Sequence, residues 1–115
     1  MTLTVEMITF DCHDPATLAS WWADQFGGTT RELLPGEFIT VARAAGPRLG
    51  FQKVPDPTPG KNRVHLDFVA PDVDAEVSRL TAAGATELEQ HRFGENFRWV
   101  VLADPEGNVF CVTGQ

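Results

Sequence analysis

The chain has 115 residues, room for one domain of ordinary size and no second one. Sixteen acidic residues against nine basic ones leave a net charge of −7, which excludes the dense Lys and Arg surface that a nucleic-acid backbone requires. With 43% hydrophobic and 22% charged residues, the composition is that of a globular protein with a packed core, not of a disordered chain.

The first residues, Met1-Thr2-Leu3-Thr4-Val5-Glu6, already alternate and carry a charge. No leader and no membrane span is expected, and the cytoplasm is the expected location. Alternation over Thr4 to Asp11 predicts the first strand. Asp14-Pro15 then supplies an N-cap and a proline at the first helical position, ahead of Leu18, Trp21, Trp22 and Phe26. The helical spacing of these apolar residues makes at least one of the two tryptophans core. Gly27-Gly28 stops the helix, and three strands follow at Thr29 to Leu34, Phe38 to Arg43 and Arg48 to Val54, divided by Pro35-Gly36 and Gly46-Pro47. Three prolines between Pro55 and Asn62 disfavour helix and central strand alike, and mark a connector.

The second half repeats this order. A strand over Val64 to Val69 precedes a helix from Asp72 to about Ala83, ended by Gly84. Strands follow near Thr86 to His91, Phe97 to Ala103 and Asn108 to Thr113, the last two divided by the turn Asp104-Pro105-Glu106-Gly107-Asn108. Met7-Ile8-Thr9-Phe10 lies over His65-Leu66-Asp67-Phe68, Phe38 over Phe97, and Phe51-Gln52 over Phe110-Cys111. The expectation is one α+β domain over 1–115: module one at 1–54, a linker at 55–62 and module two at 63–115, each module reading βαβββ.

Two βαβββ units in this length, the acidic residue and aromatic pair of Asp14-Pro15-Ala16-Thr17-Leu18-Ala19-Ser20-Trp21-Trp22, and the run Val101-Leu102-Ala103-Asp104-Pro105-Glu106-Gly107-Asn108 resemble the vicinal oxygen chelate superfamily. That superfamily contains glyoxalase I, extradiol dioxygenases and bleomycin-resistance proteins. The resemblance implies an incomplete eight-stranded mixed barrel with the helices outside, enclosing a pocket. It also implies a homodimer.

On the fifth strand Val64, Leu66 and Phe68 share one face, and His65, Asp67 and Val69 the other. The apolar set is expected under a helix, so that His65, Asp67 and their repeat equivalents Met7 and Thr9 line the pocket. Trp99 and Arg98 are further candidates; they are adjacent, and the pattern does not choose which of them faces inward. Phe38 offers a second aromatic wall.

Metal-dependent relatives hold a divalent ion at positions that fall, by the resemblance, on Met7, Gln52, His65 and Cys111. Only His65 and Gln52 are ligand types common in such sites. A thioether and a thiol do not suit a hard ion, and zinc rarely accepts a thioether. Met7 therefore reads as apolar lining and Cys111 as a small buried hydrophobe, since no sequence feature lowers its pKa. His65 with Asp67 resembles an acid/base couple, but two residues do not name a reaction.

The expected function is that of a small-molecule binding protein of the glyoxalase and bleomycin-resistance type, metal-independent and suited to sequestering an antibiotic, with no cofactor and no nucleic-acid or membrane partner. The alternative is a lyase, isomerase or dioxygenase using one divalent ion on His65 and Gln52. Superfamily folds host both, and whether the chain is an enzyme stays open.

Overall fold

A computed structural model describes residues 4–95 and 97–114, with the Phe93 side chain left aside; the first three residues of the N-terminal alternation lie outside it. The chain divides into two compact units, Met1–Thr58 and Pro59–Gln115, with the boundary inside the expected linker.

Unit 1 carries β1 (Met7–Cys12), α1 (Pro15–Phe26), β2 (Thr29–Leu34), β3 (Phe38–Ala42) and β4 (Arg48–Lys53). Its sheet has the order β1-β4-β3-β2, with β1 and β4 parallel and the other pairs antiparallel. A parallel pair needs a crossover, and α1 begins it. Asp14 caps the helix by accepting from the Thr17 amide (3.2 Å) and hydroxyl (2.8 Å), which holds its carboxyl below the usual range. Gly27, at φ 63°, closes it in the left-handed conformation. The helix buries Leu18, Ala19, Trp22 and Ala23. Trp22 packs on Phe10 (5.7 Å between centroids), which stacks on Phe51 (5.0 Å). The aromatic pair thus divides: Trp22 is core, whereas Trp21 is half-buried and meets it edge-on.

Unit 2 repeats the plan with β5 (Leu66–Ala70), α2 (Val73–Ala82), β6 (Thr86–Phe93), β7 (Phe97–Ala103) and β8 (Val109–Gly114), in the order β5-β8-β7-β6. Asp72 caps α2 through the Ala75 amide, and Val77 and Leu80 are buried. On the sheet, Val100, Leu102 and Val112 are closed to solvent. The turn before β8 is organised by Asp104, which is 3% exposed. Its carboxylate accepts from the amides of Glu106 and Asn108 and from the Asn108 side chain, at 2.9 to 3.1 Å. Gly107 takes φ 90° there.

Two expectations shift. Strand β5 starts at Leu66, so Val64 is not on the apolar face; it is 77% exposed. The cause is local: the Asn62 side-chain amide donates to the Val64 carbonyl, and its oxygen accepts from the Val109 amide at 2.8 Å, tying this stretch to the start of β8. Strand β1 starts at Met7, not Thr4; its ladder runs along β4, which begins at Arg48, the partner of Met7.

Candidate functional site

Each sheet has a helix face and an opposite face, and the candidate residues divide between them by strand alternation. In unit 1, Ile8, Phe10, Leu49, Phe51, Ile39 and Val41 belong to the face that α1 covers. Met7, Thr9, Gln52 and Phe38 belong to the other. Gly50 shows how closely three of these gather: a Cβ there would lie 3.0 Å from Met7 Sδ, 3.0 Å from Thr9 Oγ1 and 3.2 Å from Phe38 Cε1. A side chain at the centre of this face would press on all three neighbours, a feature absent from the sequence reading. Buried Thr40 pairs with Gly50 across the ladder. Gln52 is exposed and pairs with Asp11 and Phe38.

Unit 2 carries the more chemically equipped face. Cys111 on β8 pairs with Asp67 on β5 and with Val101 on β7. Cys111, Val101 and Val109 form a buried apolar cluster with half-buried Trp99 against it. Trp99 pairs with His91 on β6, and the two rings stack at 4.9 Å and 20°. Phe97 extends the row, 5.5 Å from Trp99. The result is an aromatic shelf beside an apolar floor.

Arg98 lies on the helix face instead, where it donates to Asp74 of α2 at 2.6 Å. This pair lowers the Asp74 pKa and raises that of Arg98. Of the two adjacent candidates, Trp99 joins the site face and Arg98 does not. His91 was missed because β6 and β7 must first be placed in register. Its only sequence signal was its position at the end of an expected strand.

At the other edge of the floor, His65 Nδ1 stands 3.2 Å from Asp67 Oδ1 and 3.9 Å from Cys111 Sγ. The carboxylate accepts, so Nδ1 donates. Both partners face the same ring nitrogen, whereas a nucleophile–base–orienter relay needs them on opposite nitrogens. Burial, followed by hydrogen bonding to Asp67 and the negative charge of that residue, pushes the Cys111 thiol up to about 11. Cys111 is thus a protonated thiol at neutral pH and not an activated nucleophile. As a donor, the Met7 thioether does not suit a hard divalent ion, whereas the Gln52 side-chain amide offers a single carbonyl oxygen. Imidazole, carboxylate and thiol together suit a borderline ion.

Paired βαβββ modules, each with a mixed sheet and one helix, are the architecture of the vicinal oxygen chelate class. The chain belongs to the glyoxalase-like domain family, whose model matches residues 7–113. Among solved structures it resembles a glyoxalase/bleomycin resistance protein/dioxygenase family enzyme from Burkholderia phytofirmans PsJN, with TM-score 0.82 and 21% identity over 97% of this chain and 98% of that one. It also resembles the fosfomycin resistance protein FosX from Listeria monocytogenes, with TM-score 0.80 and 15% identity over 100% and 95% of the two chains. A third likeness is to lactoylglutathione lyase from Agrobacterium tumefaciens, with TM-score 0.71 and 19% identity over 99% and 95%. No curated protein matches in sequence. These likenesses extend over both modules and show the superfamily's fold. Among the described residues, no helix is long and apolar enough to cross a membrane.

Proposed function

We propose that this protein binds a small aromatic organic molecule on the face of module two that carries His91, Trp99, Val101, Cys111, His65 and Asp67, acting as a cytoplasmic homodimer without need of a metal. The observation that carries this reading is the stacked His91–Trp99 pair, with Phe97 tilted against Trp99, beside the Val101–Val109–Cys111 floor. A planar ligand can extend the stack while His65 and Asp67 anchor its polar groups, the usual division between apolar contact and orientation in a binding site. An antibiotic is one ligand of this kind, and a resistance protein is among the structural relatives.

Titration of chelator-treated protein with a library of aromatic compounds, read by tryptophan fluorescence, tests the reading. Saturable quenching that Trp99→Leu abolishes and Trp21→Phe leaves intact is expected. Quenching indifferent to Trp99→Leu, or absent for every compound, would contradict it.

The second reading is a lyase, isomerase or dioxygenase that uses a divalent ion held by His65, and the convergence of His65, Asp67 and Cys111 favours it. A bound divalent ion would supply Lewis acidity toward substrate oxygens. Turnover that chelation abolishes and metal restores is the expected result under this second reading, and turnover unaffected by chelation would exclude it.

A further inference from the structure

The family resemblance distributes metal ligands over both modules, at Met7, Gln52, His65 and Cys111. The geometry points to something different: we infer that His65, Asp67 and Cys111 form a site for a thiophilic divalent ion of the zinc class, complete within module two. Asp67 replaces the module-one donors, and neither Met7 nor Gln52 takes part.

The imidazole nitrogen, carboxylate oxygen and thiol sulfur lie within 4.8 Å of one another. Two of the three separations are 3.2 Å and 3.9 Å. Ligand atoms on a tetrahedral zinc ion are about 3.3 to 3.6 Å apart, given metal–ligand bonds of about 2.0 to 2.3 Å. Small side-chain shifts would close the set. Backbone pairing fixes two members, because Asp67 and Cys111 are direct partners across the β5–β8 ladder. His65 and Asp67 are two positions apart and project to the same side.

Nitrogen, oxygen and sulfur donors in one set match zinc and exclude magnesium and calcium, which prefer oxygen alone. Three protein ligands leave a fourth position for water, and the side chains of His65 and Asp67 are 35% and 62% exposed, so the ion has an entry path. Glu89, whose negative charge bears on Cys111, adds to the attraction for a cation, while Lys61 opposes it. On binding, the Cys111 sulfur loses its proton to solvent and the thiolate bonds to the ion; the His65 proton moves to Nε2, which faces away from the ion. About one proton per ion is released at mildly alkaline pH.

This site shares His65 and Asp67 with the proposed ligand anchors but takes nothing from the His91–Trp99 stack, so zinc is titrated without aromatic ligand and its failure leaves the quenching test standing. Zinc titration of the reduced full chain by calorimetry, in buffers of differing ionisation enthalpy, tests the inference, with cobalt as the spectroscopic probe. The expected result is one ion per chain, release of about one proton, and a near-ultraviolet sulfur-to-cobalt absorption that Cys111→Ser removes. Asp67→Asn, at an exposed position that leaves the core intact, should weaken zinc binding at least about tenfold, and Met7→Leu and Gln52→Leu should leave it unchanged. Absence of stoichiometric zinc binding, cobalt spectra indifferent to Cys111→Ser, affinity indifferent to Asp67→Asn, or loss of the ion on Gln52→Leu would each overturn it.

Discussion

Cys111 shows how much one side chain's surroundings decide. A thiol pushed up to about 11 by burial and Asp67 is charged less readily in the folded chain than in the unfolded one. Its contribution to stability is therefore fully present below the ordinary thiol range and is lost as pH rises through that range toward about 11. The melting temperature of the parent should fall more steeply over this interval than that of Cys111→Ser, and parallel curves would contradict the assignment. Alkylation of Cys111, followed by peptide mapping, should be slow at pH 8 and accelerate through the same interval, since the thiolate is the reacting form. The sequence had already marked Cys111 as an inert small hydrophobe and His65 and Asp67 as sharing a face, because alternation is a local property. That Trp99 and not Arg98 joins them was not legible. Alternation puts Arg98 on the same face as the fully buried Val100 and Leu102, where it meets Asp74, 24 residues away in sequence; because Val101 on the opposite face is buried too, the apolar pattern alone did not choose between them.

The elements that sequence placed best are those whose ends are set by neighbouring residues. Asp14 and Asp72 cap their helices through the amide three residues on, and Gly27 adopts the left-handed turn its position demands. Asp14→Ala should cost about 1 kcal/mol in urea unfolding, the usual value of an N-cap. The Asp104 turn is worth more. Removing its carboxylate leaves the Glu106 and Asn108 amides and the Asn108 side chain without their acceptor in a part-buried turn. Asp104→Ala should therefore destabilise by about 2 to 3 kcal/mol, and a change under about 0.5 kcal/mol would refute this account of the turn. The elements placed less well depend on partners distant in the chain. Strand β6 runs two residues beyond its expected end at His91 and carries an irregularity between Glu87 and Glu89, so its register with β7 had no local signature. The His91–Trp99 stack follows from that register, which is why half of the aromatic shelf escaped the sequence reading.

At the scale of the whole molecule, the internal repeat made the two modules readable, since equivalent residues recur at nearly constant separation and each module repeats one order of elements. The repeat also carries a divergence in side-chain chemistry between the modules. Where module one has Met7, Thr9, Thr40 and Gln52, module two has His65, Asp67, Trp99 and Cys111, so titratable side chains gather on the second face. The homodimer implied by the family resemblance predicts a sedimentation mass of about twice 12.6 kDa; a monomer at all concentrations would exclude it. Ligand binding on the module-two face is the central proposal. Amide and indole chemical-shift mapping of isotope-labelled protein, during titration with the tightest aromatic ligand found by quenching, tests that directly. Saturable shifts centred on the Trp99 indole and the amides of His91, Val101, Cys111 and Thr113 are predicted. Shifts centred instead on α2, or on the module-one face around Gly50 with the Trp99 indole unmoved, would contradict it.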